Sequence, residues 1–262
     1  MNAEKQVSGK LLVAYNTILI KEINRFCRIW MQTLLPPAVS TSLYFIIFGN
    51  LIGPRIGTMD GFGYMEFIAP GIIMMAIINN AYANVVSSFF GAKFQQHIEE
   101  ILVAPVPYWV ILAGYVSGGM ARGLLVGVVV TVVALFFTDL SIYNYTIVIL
   151  VVALTSVLFS LAGFINGIYA KNFDDISVIP TFVLSPLIYL GGIFYSIELL
   201  PEFWQTVSKF NPILYMVNTF RYGILGISDI EIITAFSLIG VFIAVLTSCA
   251  LYLLHKGVGI KT

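Results

Sequence analysis

Few side chains in this sequence are suited to catalysis, and their spacing fits no enzyme chemistry. The two histidines are His97 and His255, and no Ser-His-Asp or His-Glu-x-x-His arrangement accompanies them. Cys27 and Cys249 lie on different apolar segments, without the short spacing of a zinc site. We therefore expect no catalytic residue, no metal site and no disulfide in this chain.

One cation stands in the middle of an apolar segment. Arg122 lies about 13 residues into it, which is about 20 Å along a helix. A charge at that depth in lipid costs several kcal/mol unless it is paired or hydrated. One interpretation is a cargo or gate contact. The other is that the long side chain extends toward the cytoplasmic headgroups.

Nucleotide chemistry is not indicated either. The phosphate-cradling loop Gly-x-x-x-x-Gly-Lys-Ser/Thr does not occur, and the tail 257–262 lacks its Gly-Lys pair. The formal net charge of zero gives no electrostatic attraction to nucleic acid. We expect no cofactor in this chain, and any ATP-driven work would need another subunit.

Composition indicates the elements that hold these residues. Of 262 residues, 59% are hydrophobic and 10% are charged, against about 25% charged in soluble domains. Runs of about 20 apolar residues are long enough to cross lipid. Six such segments are predicted, over residues 31–53, 66–90, 109–137, 145–169, 177–196 and 231–254. We expect an all-α integral membrane protein with one transmembrane domain over residues 1–262, and no cleaved signal peptide.

The chain before the first span has the pattern of an amphipathic helix. Over residues 9–30 apolar side chains recur every three or four positions, and Trp30 belongs to this stripe. Arg25 and Arg28 fall on the polar side. We expect a cytoplasmic interfacial helix over residues 1–30, with its cations toward the lipid headgroups. A helix packed on a soluble core is the alternative.

The longest polar gap between the early spans covers residues 91–108. Its predicted short helix has an apolar face of Phe94, Ile98, Ile101 and Leu102 and a polar face that includes Glu99 and Glu100. Binding to the negative inner leaflet would favour lysine and arginine. The acids favour docking into a groove on a cytoplasmic protein, with lipid binding as the alternative.

Residues 197–228 are too polar and broken for a span. Two short helices are predicted, over 201–211 and 213–225, with Gly226 as the final stop. Such elements must be re-entrant or lie at the outer surface. We expect an outer gate there, with the candidate residues Pro201, Trp204, Asn211, Pro212, Tyr215 and Arg221. An aromatic interface belt is the alternative, and it explains Arg221 poorly.

Basic residues predict the orientation. With six spans, nine lysines and arginines fall on the side of the termini and three on the other. Because cytoplasmic loops are enriched in such cations, we predict that both termini and the 91–108 loop are cytoplasmic. Residues 197–228 then face the outer side of the membrane.

Three stretches of the chain resemble ABC-2 type transporter permeases in their residues, order and spacing. Residues 94–107, which contain the step Ala104-Pro105-Val106, are similar to the coupling loop of that family. Residues 191–204, followed by 211–215 and 221–226, resemble the signature of the family, which combines a Gly-Ile-Phe step, Leu-Pro, Asn-Pro-Leu-Tyr, an arginine and Leu-Gly. The first 50 residues resemble its interfacial helix and first span, so the resemblance covers nearly the whole chain.

The resemblance implies a permease subunit of a bacterial ABC exporter in the inner membrane. Two copies of the chain would form a dimer with two copies of a cytoplasmic ABC ATPase subunit, which would hold ATP and magnesium. The 94–102 helix would sit in a cleft of that ATPase, with the N-terminal helix beside it. The cargo would be a lipid-like, glycolipid or drug-like molecule, moved out of the cytoplasm or inner leaflet.

Two other classes of membrane protein fit the residues less well. An ion-driven secondary carrier or channel usually needs ionisable groups at mid-membrane, and Arg122 is the one candidate. A membrane enzyme would need clustered nucleophiles, bases or metal ligands. The acids of this chain instead fall at span ends or in loops.

Overall fold

A computed structural model describes the backbone of residues 2–103 and 105–259, and the side chains of these residues apart from 2–8, 99, 101 and 102. The helices are, in chain order, α1 (Asn2–Arg28), α2 (Trp30–Tyr44), α3 (Gly53–Ile56), α4 (Tyr64–Phe94), α5 (His97–Val103), α6 (Tyr108–Ala134), α7 (Tyr145–Tyr169), α8 (Asp175–Ile179), α9 (Ser185–Tyr189), α10 (Glu202–Lys209), α11 (Pro212–Leu225) and α12 (Ile232–Lys256). Wider π-helical turns join α2 to α3 (Phe45–Ile52) and α8 to α9 (Pro180–Leu184), and a 3-10 turn covers Ile197–Leu199.

The membrane-spanning helices confirm the predicted all-α membrane fold. Among the described residues, five segments are long and apolar enough to cross a bilayer, namely Trp30–Ile56, Tyr64–Phe94, Tyr108–Ala134, Tyr145–Tyr169 and Ile232–Lys256. Their ends lie within four residues of the predicted ones. The predicted segment 177–196 is instead a shorter apolar helix, Asp175–Tyr189. The count of six therefore stays a prediction.

The shorter helix ends early because the chain turns back toward α4. Gly192 has a positive φ of 70°, a conformation that glycine adopts without strain. Ile193 then packs against Gly71 of α4, where a Cβ atom would lie 2.8 Å from the Ile193 backbone. The apolar residues after Tyr189 thus fill the bundle interior instead of extending the span.

Helix α4 forms the centre of the bundle, packed against α6 and α7. Residues 67–78 are buried without interruption, as expected of a helix that is apolar on all sides. Small residues permit the close approach of the neighbouring helices. At Gly163 of α7, for example, a Cβ atom would lie 2.5 Å from the Tyr82 carbonyl oxygen of α4.

Helices α10 and α11 begin and end close to the residues that the sequence predicts. Pro201 precedes α10, and the Asn211 side chain caps α11 by accepting a 3.0 Å hydrogen bond from the Ile213 N–H. Helix α11 ends at Gly226, whose φ of 78° is the left-handed stop.

A short β-hairpin lies between α3 and α4. Strands β1 (Thr58–Met59) and β2 (Phe62–Gly63) form an antiparallel hairpin. Its turn residues Asp60 and Gly61 both have positive φ, which is the geometry that an Asp-Gly pair favours in tight hairpins.

Candidate functional site

Helix α1 is attached to the bundle through a buried charge. Glu22 is 0% exposed, and its carboxylate accepts hydrogen bonds from Ser88 Oγ, from Asn84 Nδ2 at 3.5 Å and from Arg25 Nη2 at 3.2 Å. Arg25 Nη2 also donates to the backbone and side-chain oxygens of Asn84, both at 2.8 Å. A buried carboxylate is tolerated when it is paired with a cation and accepts further hydrogen bonds, as Glu22 does here.

This attachment differs from the predicted orientation of α1. The pattern placed Arg25 on a headgroup-facing side, whereas its guanidinium is directed at α4. Glu22 and Arg25 are one turn apart and share a face with the buried Ile18 and Phe26. Periodicity identified the helix but not which polar residues meet a neighbour. Two other interfacial candidates, Arg28 and Trp30, are exposed.

The coupling helix predicted over 94–102 begins later, as α5 at His97. Phe94 is the last residue of α4, and Gln96 follows with a left-handed φ of 61°, so Phe94 does not belong to the short helix. Ile98 is buried and Glu100 is exposed. The candidate side chains Glu99, Ile101 and Leu102 lie outside those that the structure describes.

A lysine joins the start of this loop to the end of α7. Lys93 Nζ donates hydrogen bonds to the carbonyl oxygens of Ile168 and Ala170, both at 2.7 Å. Carbonyls at a helix C-terminus lack intrahelical donors and carry partial negative charge, so a lysine there is stabilising. Sequence reasoning did not identify this contact, since Lys93 is distant from α7 along the chain.

Near the middle of α4 and α6, a cavity of about 400 Å³ with a mixed polar and apolar lining opens between α2, α4, α6 and α9. Its lining includes Gln32, Ser40, Asn79, Asn80, Arg122 and Ser185. Arg122 Nη2 donates a 3.3 Å hydrogen bond to Asn80 Oδ1. Each of these two residues lies near the middle of its helix, so the guanidinium is directed sideways at α4 rather than along α6.

Several polar residues around this cavity are exposed on the outer surface of the single chain. Gln32, Ser40 and Asn79 are exposed, although the apolar helices that carry them require a lipid environment. Bare contact between such groups and hydrocarbon is costly. This face is therefore suited to a water-filled path or to contact with another protein surface.

Arg221, a predicted gate residue, is instead fixed in the interior. It is 1% exposed and donates hydrogen bonds to Gly192 O at 2.6 Å, Phe67 O at 3.4 Å and Asn218 Oδ1 at 3.4 Å. Its guanidinium carbon lies 3.9 Å from the centre of the Phe67 ring, a favourable cation–π distance. Arg221 thus ties α11 to α4 and to the turn after α9.

The other outer candidates divide into two groups. Asn211 donates a 2.6 Å hydrogen bond to Leu187 O, and Tyr215 donates one of 2.7 Å to Lys209 O, so both hold the short helices in place. Pro212 is the first residue of α11. Pro201 and Trp204 are exposed on α10 or its cap, where Phe203 and Phe210 extend the aromatic surface.

Apolar helices of spanning length, a cavity with some polar lining between them and charges held inside the bundle are typical of a helical membrane transport protein. The family model for ABC-2 type transporters matches residues 13–225, and the chain belongs to that family. The chain is 59% identical over 250 residues to the inner membrane transport permease YadH of Escherichia coli K12, which covers 95% of this chain and 98% of the relative.

More distant relatives share most of the chain length. Nodulation protein J of Rhizobium leguminosarum bv. viciae is 24% identical over 189 residues, covering 70% of this chain and 71% of the relative. Nodulation protein J of Sinorhizobium fredii is 25% identical over 186 residues, covering 71% and 70%. The resemblance inferred from the three sequence stretches is thereby confirmed.

Proposed function

We propose that this chain is the permease subunit of an ATP-driven exporter in the bacterial inner membrane. Two copies would form a dimer, and each would couple to a separate ABC ATPase that holds ATP and magnesium. Membership of the ABC-2 family and the likeness to an inner membrane transport permease support this proposal. Because the chain has no phosphate-cradling loop, ATP hydrolysis requires another subunit.

The exposed polar face at mid-membrane is the observation that carries the proposal. Gln32 and Ser40 on α2 and Asn79 on α4 would meet lipid if the chain acted alone. A second copy placed against this face would shield these side chains and enclose the cavity between the two subunits. A lipid-like, glycolipid or drug-like cargo would then follow that path out of the cytoplasm or inner leaflet.

The end of the bundle that carries α5 supports the coupling role. The exposed Glu100 on α5 presents an acid to a docking protein, while the buried Ile98 packs the same helix onto the bundle. Helix α1 lies against α6 and is held by the Glu22–Arg25 pair. In the proposed orientation both termini and α5 are cytoplasmic, so the ATPase would contact α5 beside α1.

The coupling proposal is tested by capture of the partner. We expect Glu100→Lys to reduce at least tenfold the amount of co-expressed ABC ATPase that co-purifies with the tagged permease. Glu202→Lys is the matched control, since Glu202 is also exposed but lies on α10, away from α5. Undiminished capture by the Glu100 variant would contradict this docking site.

The energy source is tested in proteoliposomes that contain the permease and the ATPase. We expect cargo-stimulated ATP hydrolysis and no transport in response to a proton or sodium gradient alone. Gradient-driven transport without the ATPase would overturn the ATP-driven mechanism and favour an ion-driven carrier.

A further inference from the structure

The three arginines that contact α4 differ in how their charges are compensated. Arg25 is paired with Glu22, and Arg221 is surrounded by carbonyl oxygens and an aromatic ring. Arg122 makes one hydrogen bond, to Asn80, and no ion pair among the residues that the structure describes. The buried Nε atoms of Arg122 and Arg25 both lack a hydrogen-bond partner there, so the difference lies in the missing carboxylate partner of Arg122.

From this difference we propose that Arg122 and the cavity it faces bind an anionic group, a phosphate or carboxylate, of an amphipathic molecule. The inference rests on the proposed transport function, because it names the chemical class of the cargo on the same path. A guanidinium presents several donors in one plane, which suits two oxygens of a phosphate or carboxylate. Bringing such an anion to Arg122 would neutralise a charge that is costly at this depth.

Asn80 orients the arginine toward this role. Its Nδ2 donates a 3.0 Å hydrogen bond to Ala76 O, which leaves Oδ1 to accept from Arg122. The amide is thus fixed between the helix backbone and the guanidinium. Asn80 acts as a positioning residue, and the terminal Nη donors that it does not bind stay available for a ligand.

The cavity has the size and the mixed lining that an amphipathic anion requires. About 400 Å³ falls within the usual range for small-molecule sites. Ser40 and Asn79 offer further donors beside Arg122, while Met75 and Ile188 provide apolar surface in the same lining. Ser40 and Asn79 are exposed on the face that a second copy would cover, so the headgroup reaches Arg122 along the path between the two subunits without crossing the packed core of either.

The test measures binding to the full-length chain, purified in detergent without any ATPase. Native mass spectrometry counts retained dioleoyl phosphatidic acid, which is anionic, against dioleoyl phosphatidylcholine, which is zwitterionic with the same acyl chains. We expect the wild-type chain to retain phosphatidic acid at least tenfold more than phosphatidylcholine. Arg122→Gln should remove this preference, and Arg122→Lys should keep part of it.

Two further variants separate the site from surface charge and from misfolding. Arg55→Gln makes the same substitution at an exposed arginine of α3 and should keep the wild-type preference. Ser40→Leu leaves Arg122 unchanged but fills part of the cavity, and it should lower phosphatidic acid retention by about tenfold. Melting temperatures within a few degrees of wild type establish that each variant is folded.

Inorganic phosphate distinguishes the two sources of the anion. Phosphate that displaces the lipid from wild type at millimolar concentration would support the anion site and assign it to free anions. No displacement would support a lipid-borne headgroup. Equal retention of both lipids by wild type, or an unchanged preference in Arg122→Gln, would overturn the proposal. Since no ATPase takes part, a failure of the coupling mechanism leaves this result interpretable.

Discussion

Replacement of Glu22 by alanine tests whether the buried ion pair anchors α1. The substitution removes an acceptor shared by Arg25, Asn84 and Ser88. Breaking a buried pair by deleting one partner costs about 3–5 kcal/mol. Arg25 is 29% exposed and keeps its two 2.8 Å hydrogen bonds to Asn84. We therefore expect Glu22→Ala to lower the free energy of unfolding by about 2–3 kcal/mol, which is less than for a fully buried pair.

The opposite deletion should cost more. Arg25→Ala leaves the Glu22 carboxylate buried with no exposed surface and without its cation, so a loss of about 3–5 kcal/mol is expected. Because the two residues interact directly, their effects should not add. The double variant should lose about 1–3 kcal/mol less unfolding free energy than the two single variants together. Arg28→Ala, an exposed substitution on the same helix, should change stability by less than about 0.5 kcal/mol.

The free energies are measured by unfolding the purified chain with sodium dodecyl sulfate in mixed micelles. Tryptophan fluorescence reports the transition, and Trp30 lies just after α1. Additive losses in the double variant, or a Glu22→Ala loss no larger than that of Arg28→Ala, would refute the assignment of this pair as the anchor of α1.

Three further substitutions test the packing of the bundle. Gly163→Ala should cost about 1–3 kcal/mol, because its Cβ would meet the Tyr82 carbonyl at 2.5 Å, whereas Gly240→Ala, with open space around it, should not destabilise in the same assay. Arg221→Met should lower stability by at least about 3 kcal/mol, since several buried acceptors lose charged donors. Limited proteolysis should then cut residues 190–228 faster than in wild type. Unchanged cleavage would count against this role of Arg221. Lys93→Ala should lower stability by about 1.5–3 kcal/mol through the loss of its charged hydrogen bonds, and a melting temperature equal to wild type would contradict that contact.

Most helices were predictable because lipid imposes a simple rule on sequence. A spanning helix must be apolar over its whole length, so hydropathy found α4, α6, α7 and α12. The outer helices were marked by local chemistry, with proline before α10 and Asn211 before α11. The early end of the helix over Asp175–Tyr189 was not predictable, because the residues after it are apolar for burial against α4 rather than for lipid.

The site was less predictable, since it depends on contacts between distant parts of the chain. Arg122 was identified from its charge, but its partner Asn80 and the cavity depend on how α4 and α6 align. The buried role of Glu22 was not predictable, because it depends on Asn84 and Ser88 of α4, which are distant along the chain. Phe94 was misplaced because a left-handed Gln96 gives no signal in the sequence.

The Lys93 contact has a mechanical consequence. A load applied to α5 reaches α4 through the chain and α7 through the two carbonyls that Lys93 holds. Phe94 reinforces this joint, with its ring centre 5.0 Å from that of Phe173 in the turn after α7. Helices α4 and α7 are therefore clamped together at the end that carries α5. Packing is looser on the side of α2 and α9, where the cavity lies.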